Sequence, residues 1–482
     1  MMRGLGRFAG WEIVVVVGLI AIPLLQLVPL PPALWTRLPH ADLRSAPFAL
    51  LGREPDYRPI SLTPEATALS ALSLAPPIAL FVGARLLPTV RRRQLVLAVL
   101  AVGLASAFLG IAQLAGGEQS PLRFYSVTNP SDAVGFFANR NHLAALLYVS
   151  MLLTAPWALD GVFAFLEARR EGRLAAGSLS SACLCGTLMF IFGVAEIATR
   201  SRAGVALTML GAIGIAALMA RDPRNRWKTV SLRLFGVAIA AVVLFSMQFG
   251  FDGFVDRLAV DPRGDGRLAI AEHTIAAARS YLPFGSGVGS FGSVYGQWEA
   301  PRDLIPDVYI NQAHDDLIQI GLEAGAPGLL ILLIFVIALT GRTIRLLRAR
   351  GDRAAPLDTG LKRASVMAIV CLFLHSLVDY PLRTSAGMIL FAFCCAVATQ
   401  PTDSSRGGSL EVVIPAPPRK RVRVAASTGR IGGVAPLPRV MGARAAELWQ
   451  EKENGPPHSG FEGRVGKGSD SSCVSPSIRR FH

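Results

Sequence analysis

The residues with most to offer chemically are arginines and histidines gathered where apolar runs end. His314 stands in Ala313-His314-Asp315-Asp316, with Gln319 and Glu323 a helical turn or two further on. Asn139-Arg140-Asn141-His142 opens one apolar run, Thr199-Arg200-Ser201-Arg202 is squeezed between two others, and His375, Asp379 and Arg383 flank a fourth. Guanidinium groups hold phosphate oxygens through paired hydrogen bonds and keep their charge at any physiological pH. Histidine is the side chain that exchanges protons near neutral pH. Arg140, Arg200, Arg202 and Arg383 with several histidines therefore fit an anion site, and an anion at a membrane edge suggests the pyrophosphate of a lipid carrier. Blander roles exist for each: snorkelling for Arg200 and Arg202, helix capping for Asn139 and Asn141, packing for His142 and His375, and capping or a carbonyl bond for His314.

The elements that must position these residues are membrane spans. Of the 482 residues, 52% are hydrophobic and 17% charged, against about 25% charged in soluble domains. Apolar runs at about 11–30, 66–87, 95–115, 142–159, 179–198, 203–220, 232–250, 324–341, 364–380 and 384–400 are the expected spans. This makes an all-α polytopic transmembrane helical bundle of about ten spans, up to twelve if short runs split. The first run follows Arg3 and Arg7 but ends in Pro29-Leu30-Pro31-Pro32 with no small-x-small cleavage site, so it reads as an uncleaved span. Five of the six cysteines (Cys183, Cys185, Cys371, Cys394 and Cys395) lie inside apolar runs, where cysteine behaves as a small hydrophobe. No metal site is expected.

Basic residues set the sidedness. Arg91-Arg92-Arg93, then Arg169, Arg170 and Arg173, then Arg221, Arg224, Arg226 and Lys228, then Arg342, Arg345, Arg348, Arg350 and Arg353 occupy every second connection. Those connections and both termini should be cytoplasmic. The formal charge of +15 is then topological, and nucleic-acid binding is the weaker reading. The opposite face receives 31–65, which is Pro-rich and expected to be irregular, together with 116–141, 199–202, the long polar stretch 251–323 and the short link near 380–384. Within the long stretch, Arg267 to Ser280 has helical spacing and the glycines from Gly285 to Gly292 break it. Three regions result: 1–135, N-terminal helices and outer loop; 136–400, the core with its large outer loop 251–323; and 401–482, a basic, Gly/Pro/Ser-rich tail read as disordered and cytoplasmic.

The order Gly135-Phe136-Phe137-Ala138-Asn139-Arg140-Asn141-His142, then Ser201-Arg202-Ala203-Gly204, resembles the O-antigen ligase/polymerase family. So do Pro283-Phe284-Gly285-x-Gly287-x-Gly289-x-Phe291, Ala313-His314-Asp315-x-x-x-Gln319 with Glu323-x-Gly325-x-x-Gly328, and His375-Ser376-x-x-Asp379-Tyr380-Pro381-Leu382-Arg383. The resemblance runs from about Phe136 to Arg383. It departs at Asp315-Asp316-Leu317, where many members have Asn and an aromatic, and at His273, where a Trp is frequent.

The resemblance implies a GT-C-like bundle with its site facing the periplasm, in a bacterial inner membrane. It also implies metal-independent, inverting glycan transfer without a cofactor. The donor would be an undecaprenyl-pyrophosphate-linked glycan, and the acceptor a hydroxyl of lipid A-core or of a growing surface polysaccharide. In that scheme His314 is the general base, oriented by Asp315 or Glu323. Arg140, Arg200, Arg202 and Arg267, with Arg383, hold the donor pyrophosphate, and Asn139, Asn141, His142, His375 and Asp379 support the site. A rival reading is a transporter or flippase of an anionic or lipid-linked solute, which calls for ionisable residues in mid-span. A membrane scaffold recruiting partners through its tail leaves the Arg/His set unexplained. Gly287-x-Gly289-x-x-Gly292 matches a dinucleotide fingerprint formally but lacks a preceding strand, so it reads as a tight turn.

Overall fold

The computed structural model describes residues 8–125, 129–219, 236, 266–304, 309–348 and 356–400. The expected span at 232–250 (Gly236 apart), the polar stretch up to 265 and the tail 401–482 lie outside the described residues. Inside them every extended element is helical, and the one β-bridge joins Leu30 to Arg58.

The helices are α1 (Gly10–Gln26), α2 (Ala41–Leu51), α3 (Pro64–Ser73), α4 (Ala75–Leu86), α5 (Thr89–Ala115), α6 (Arg140–Arg170) and α7 (Ala176–Ala198). They continue as α8 (Arg202–Met219), α9 (Arg267–Ser280), α10 (Phe291–Tyr295), α11 (Asp316–Arg348), α12 (Pro356–His375) and α13 (Ser385–Ala398). Five segments are long and apolar enough to cross a membrane: α3 with α4, then α5, α6, α7 and α11. The helices α1, α8 and α13 are shorter and apolar. Several run beyond their expected limits: α5 begins straight after Pro88, and α11 begins at Asp316.

Helix α6 is the axis of the bundle. Asn141 through Pro156 is buried without interruption, which is what a helix apolar on all sides requires. It packs against α7, α12, α8 and α5. Asn139 starts it by accepting a hydrogen bond from the Asn141 backbone N–H at 2.8 Å. The Pro-rich segment 31–65 is more ordered than its composition suggests, for it contains α2 with Pro47 inside. Its Arg44 is buried and donates to the carbonyls of Pro39, His40 and Ile60, tying the helix back to its flanks.

One end of the bundle is basic. There Glu12 of α1 pairs with Arg85 of α4 at 3.0 Å, and Arg93 of α5 pairs with Asp358 of α12 at 2.9 Å. Arg342 of α11 donates to the carbonyls of Ala398 and Gln400 where α13 ends, satisfying acceptors that a helix terminus leaves over. The polar cluster lies at the other end.

That other end rests on a backbone joint. Gly325 interrupts α11 at φ 61°, ψ −152°, and the turn from Pro283 to Val288 is laid against the interruption. Ser286 N donates to Leu322 O at 2.9 Å, Gly287 N to Glu323 O at 3.0 Å and Ala326 N to Pro283 O at 2.8 Å. Gln26, buried at the end of α1, donates to the carbonyls of Phe284 and Glu323 and accepts from Val288 N. A Cβ on Gly285 would fall 2.4 Å from Glu323 O, and one on Gly325 2.3 Å from Pro283 O, so only glycine permits the approach. The glycines thus make the expected tight turn and also bring the polar stretch onto α11.

Candidate active site

Asp379, just past the end of α12, is the hub of the polar end. It is fully buried. Its Oδ1 lies 3.2 Å from His314 Nδ1, and its Oδ2 accepts from Asn141 Nδ2 of α6 at 2.6 Å. Ser201 Oγ, between α7 and α8, donates to Asn141 Oδ1 at 2.8 Å. Three segments far apart in sequence therefore meet at one carboxylate, and a fourth is tied to it through Asn141. Burial alone would raise its pKa, but the His314 hydrogen bond and the nearby His142, His375 and Arg267 hold the carboxyl down to about 2. It is ionised at any working pH.

His314 precedes α11 in the left-handed region, at φ 55°. A non-glycine residue rarely adopts that conformation outside a context that demands it. The Asp316 N–H beside it donates to Ser376 O at 2.8 Å, which fastens the start of α11 to the end of α12. With its Nδ1 engaged by Asp379, the ring keeps the proton on Nδ1 and leaves the Nε2 lone pair to take another. The His314 side chain is a quarter exposed, so the ring is not sealed inside the bundle. Tyr380 packs edge-on between His314 (4.9 Å) and His142 (5.2 Å). His375 is buried beneath, its Nδ1 3.3 Å from Tyr148 Oη. Among the described residues, Nε2 of His142 and of His375 have no hydrogen-bond partner.

The residues proposed from sequence divide into groups. Asn139, Asn141, His142, His375 and Asp379 converge with His314. Arg267 joins them, donating to Val378 O at 2.5 Å and so passing beside the hub. Asp315 and Glu323 do not orient His314. Asp315 Oδ1 caps α11 by accepting from Ile318 N at 3.0 Å. Glu323 is buried, accepts from Phe291 N and Gln319 Nε2, and pairs with Arg383 at 2.5 Å. Arg383 also pairs with Asp316 at 3.1 Å. Burial would lower its pKa, but Glu323 and Asp316 outweigh that and keep it charged. Its guanidinium is engaged by carboxylates of its own chain, a bracing arrangement for α11. Arg202 begins α8, one residue after Ser201.

Arg140 and Arg200 meet at a residue the sequence reading passed over. Arg140 Nη1 lies 2.5 Å from Asp132 Oδ2, and Arg200 Nη1 lies 3.6 Å from Asp132 Oδ1. Arg200, like His314, has a left-handed backbone, at φ 50°. The signal in the sequence was Asp132 lying eight residues before Arg140 in a polar outer connection, which is too weak to single it out. His273, which departs from the Trp frequent in the resembled family, lies 2.8 Å from Asp303 Oδ2 and supports the loop.

No curated protein matches the chain. Residues 187–333 match the family model described as O-antigen ligase. That stretch contains Arg200, Arg202, Arg267, His314 and Glu323 and leaves out Arg140, His142, His375, Asp379 and Arg383. Over that stretch the chain is similar to the O-antigen ligase family, in line with the resemblance read from the motifs, and the described residues form a helical bundle with five segments long and apolar enough to cross a membrane.

Proposed function

We propose that this protein is an inner-membrane, GT-C-like glycosyltransferase that moves a glycan from undecaprenyl pyrophosphate to a sugar hydroxyl at the periplasmic face. The observation that carries the reading is the His314–Asp379 pair at 3.2 Å, set at the same end of the bundle as the Arg140–Asp132–Arg200 group. The basic connections at the opposite end support the periplasmic orientation.

In this scheme the acceptor hydroxyl attacks the anomeric carbon from the face opposite the pyrophosphate. The new glycosidic C–O bond forms as the old C–O bond breaks, so configuration inverts. The hydroxyl proton passes to His314 Nε2, and the Asp379 carboxylate stabilises the imidazolium that results. Charge developing on the departing pyrophosphate is met by Arg140, Arg200, Arg202 and Arg267, fixed guanidinium groups that serve without a metal ion. The bond energy of the donor drives the step, so no nucleotide is required. The acceptor is lipid A-core for a ligase, or a lipid-linked repeat or exopolysaccharide chain for a polymerase.

The test is the surface glycan profile of a deletion strain complemented with wild type, His314→Ala or Arg202→Ala at matched membrane levels. Lipid-linked polymer accumulating while lipopolysaccharide loses its polymer identifies a ligase. Collapse to single repeat units identifies a polymerase. Full complementation by His314→Ala removes the general base and the scheme with it.

A further inference from the structure

We infer that Arg123, together with Arg140 and Arg200, forms a phosphate-binding corner held in place by the buried carboxylate of Asp132. The inference deepens the donor-site reading above and rests on it for the identity of the ligand. Arg123 lies before the motif-bearing part of the chain and outside the 187–333 match, so nothing but the geometry marks it.

Three guanidinium groups from three segments converge on Asp132. Arg140 and Arg200 reach its carboxylate, as given above, and Arg123 Nη1 donates to its main-chain carbonyl at 3.1 Å. Asp132 is fully buried, so the corner holds three cations on one buried residue, two at its carboxylate and one at its carbonyl. Two donors there are unspent: Arg123 Nη2 and Arg140 Nε are buried and have no hydrogen-bond partner among the described residues. An unmade bond to a charged donor is costly; Arg44 Nε and Arg383 Nη2 are left over in the same way elsewhere, and what marks this corner is that two such donors flank one residue, Asp132. They are what a site for a multidentate oxyanion presents before its ligand arrives. The Arg200 side chain is 38% exposed and gives the anion its approach.

The backbone around Asp132 is built to keep it still. Ala133 N donates to Ala198 O at 3.1 Å, joining the segment to the end of α7 just before Arg200. Gln113 of α5, fully buried, accepts from Val134 N and Gly135 N and donates to Gly135 O and Leu122 O. One side chain thus clamps both the Arg123 and the Asp132 stretches to the bundle. On this reading Arg123 contacts the anion, and Asp132 is a positioning residue that acts through the arginines. A phosphate of this kind has two sources, the diphosphate of the lipid-linked donor or the headgroup of a membrane phospholipid.

The test uses the full chain in phosphatidylcholine nanodiscs and measures inorganic pyrophosphate binding by calorimetry, so it does not depend on turnover. Arg123→Gln should weaken binding about tenfold, as loss of one charge-assisted contact does. Arg302→Gln, which alters an outer-loop arginine with an 83% exposed side chain, should leave it unchanged. With donor turnover as readout, Asp132→Asn should raise KM about tenfold and also lower kcat, since the arginines it positions meet charge in the transition state, and Asp132→Glu should recover part of the loss. A role in folding alone would lower the amount of active protein and leave KM in place. If wild type ignores pyrophosphate but retains phosphatidylglycerol in an Arg123-dependent manner, the corner stands with a headgroup as its ligand. Arg123→Gln binding pyrophosphate as wild type does, with lipid retention also unchanged, overturns the inference. Pyrophosphate binding that depends on Arg123 in a protein without transferase activity would sink the proposed reaction and leave the corner intact.

Discussion

Replacing Asp379 by Asn isolates one charge at the centre of the site. The change keeps shape and leaves an amide able to bond Asn141, but removes the carboxylate facing His314 Nδ1 at 3.2 Å. An imidazolium and a carboxylate at that separation attract by about 5 kcal/mol at an effective dielectric of about 20. The His314 side chain is a quarter exposed, and screening by solvent halves the figure to about 2.5 kcal/mol at the low end. The imidazolium exists only once the acceptor proton has moved, so the loss falls on kcat. The expected drop is about 10²- to 10⁴-fold, with the KM of the lipid-linked donor within about threefold. A pH profile adds a sign. Asp379 is held down to about 2, so in wild type it stays ionised across the assay range and contributes no limb of its own. With the carboxylate gone, the plateau should fall across the whole range, because the group removed does not titrate within it. The assay is initial-rate transfer by purified protein from pH 5 to 9, a span of roughly the range in which histidine titrates. A kcat within threefold of wild type across that range would refute the pairing as the basis of proton transfer.

Other changes test the scaffold. Arg383→Ala strands the buried carboxylates of Asp316 and Glu323, at a cost of about 3–5 kcal/mol, so folded protein should be scarce by fluorescence-detected chromatography; combining it with Asp316→Asn and Glu323→Gln should restore much of the yield. An Arg383→Ala protein that folds normally and loses only donor affinity would return Arg383 to the pyrophosphate set. Gly285→Ala, at φ 78° with its Cβ 2.4 Å from Glu323 O, should lower the unfolding midpoint sharply, whereas Gly10→Ala, which meets nothing within 4 Å, should not. Gln26→Leu removes three hydrogen bonds to the main chain of the joint and should destabilise by about 2–3 kcal/mol, read by denaturant unfolding in detergent.

How far the sequence carried these conclusions depended on the range of the interaction concerned. The core of α6 was legible because Leu143 to Ala155 is almost wholly apolar, and a helix apolar on every face has one place to go. The start of α6 was legible because an Asn cap acts within two residues. The loop helix Arg267–Ser280 was legible from spacing and the glycines after it. His314 stood out by its type and its place in a polar stretch beside a span. Its partner did not. Asp315 is adjacent and Glu323 lies in the helix that follows, so local spacing favoured both, whereas Asp379 is 65 residues away and reaches His314 only because α11 and α12 are fastened end to end. Gln26 and the Gly285 turn, 258 residues apart, were unreadable as a pair for the same reason. The Pro-rich segment 31–65 misled in the opposite direction: proline density argues against regular structure, but Arg44 supplies tertiary bonds that hold α2 together.

That pattern bears on how the site comes into being. Asn141 belongs to α6, Ser201 to the α7–α8 link, His314 to the start of α11 and Asp379 to the end of α12, and a chain of hydrogen bonds runs through all four. No pair of adjacent helices contains enough of it to be competent alone. A buried carboxylate without its partners is strongly disfavoured, so Asp379 is stable as an ion only when α6 and the His314 segment are both in place. The geometry of the candidate site and the assembly of the bundle are therefore one cooperative event. Loosening a remote contact such as the Gly285–Gly325 joint should reduce the fraction of competent molecules and leave the rate of each competent molecule unchanged. Active-site titration can separate this outcome from a change in chemistry: for Gly285→Ala, the count of competent sites should fall while the turnover per site stays at the wild-type value. A normal site count with slower turnover would show that the joint tunes the chemistry directly.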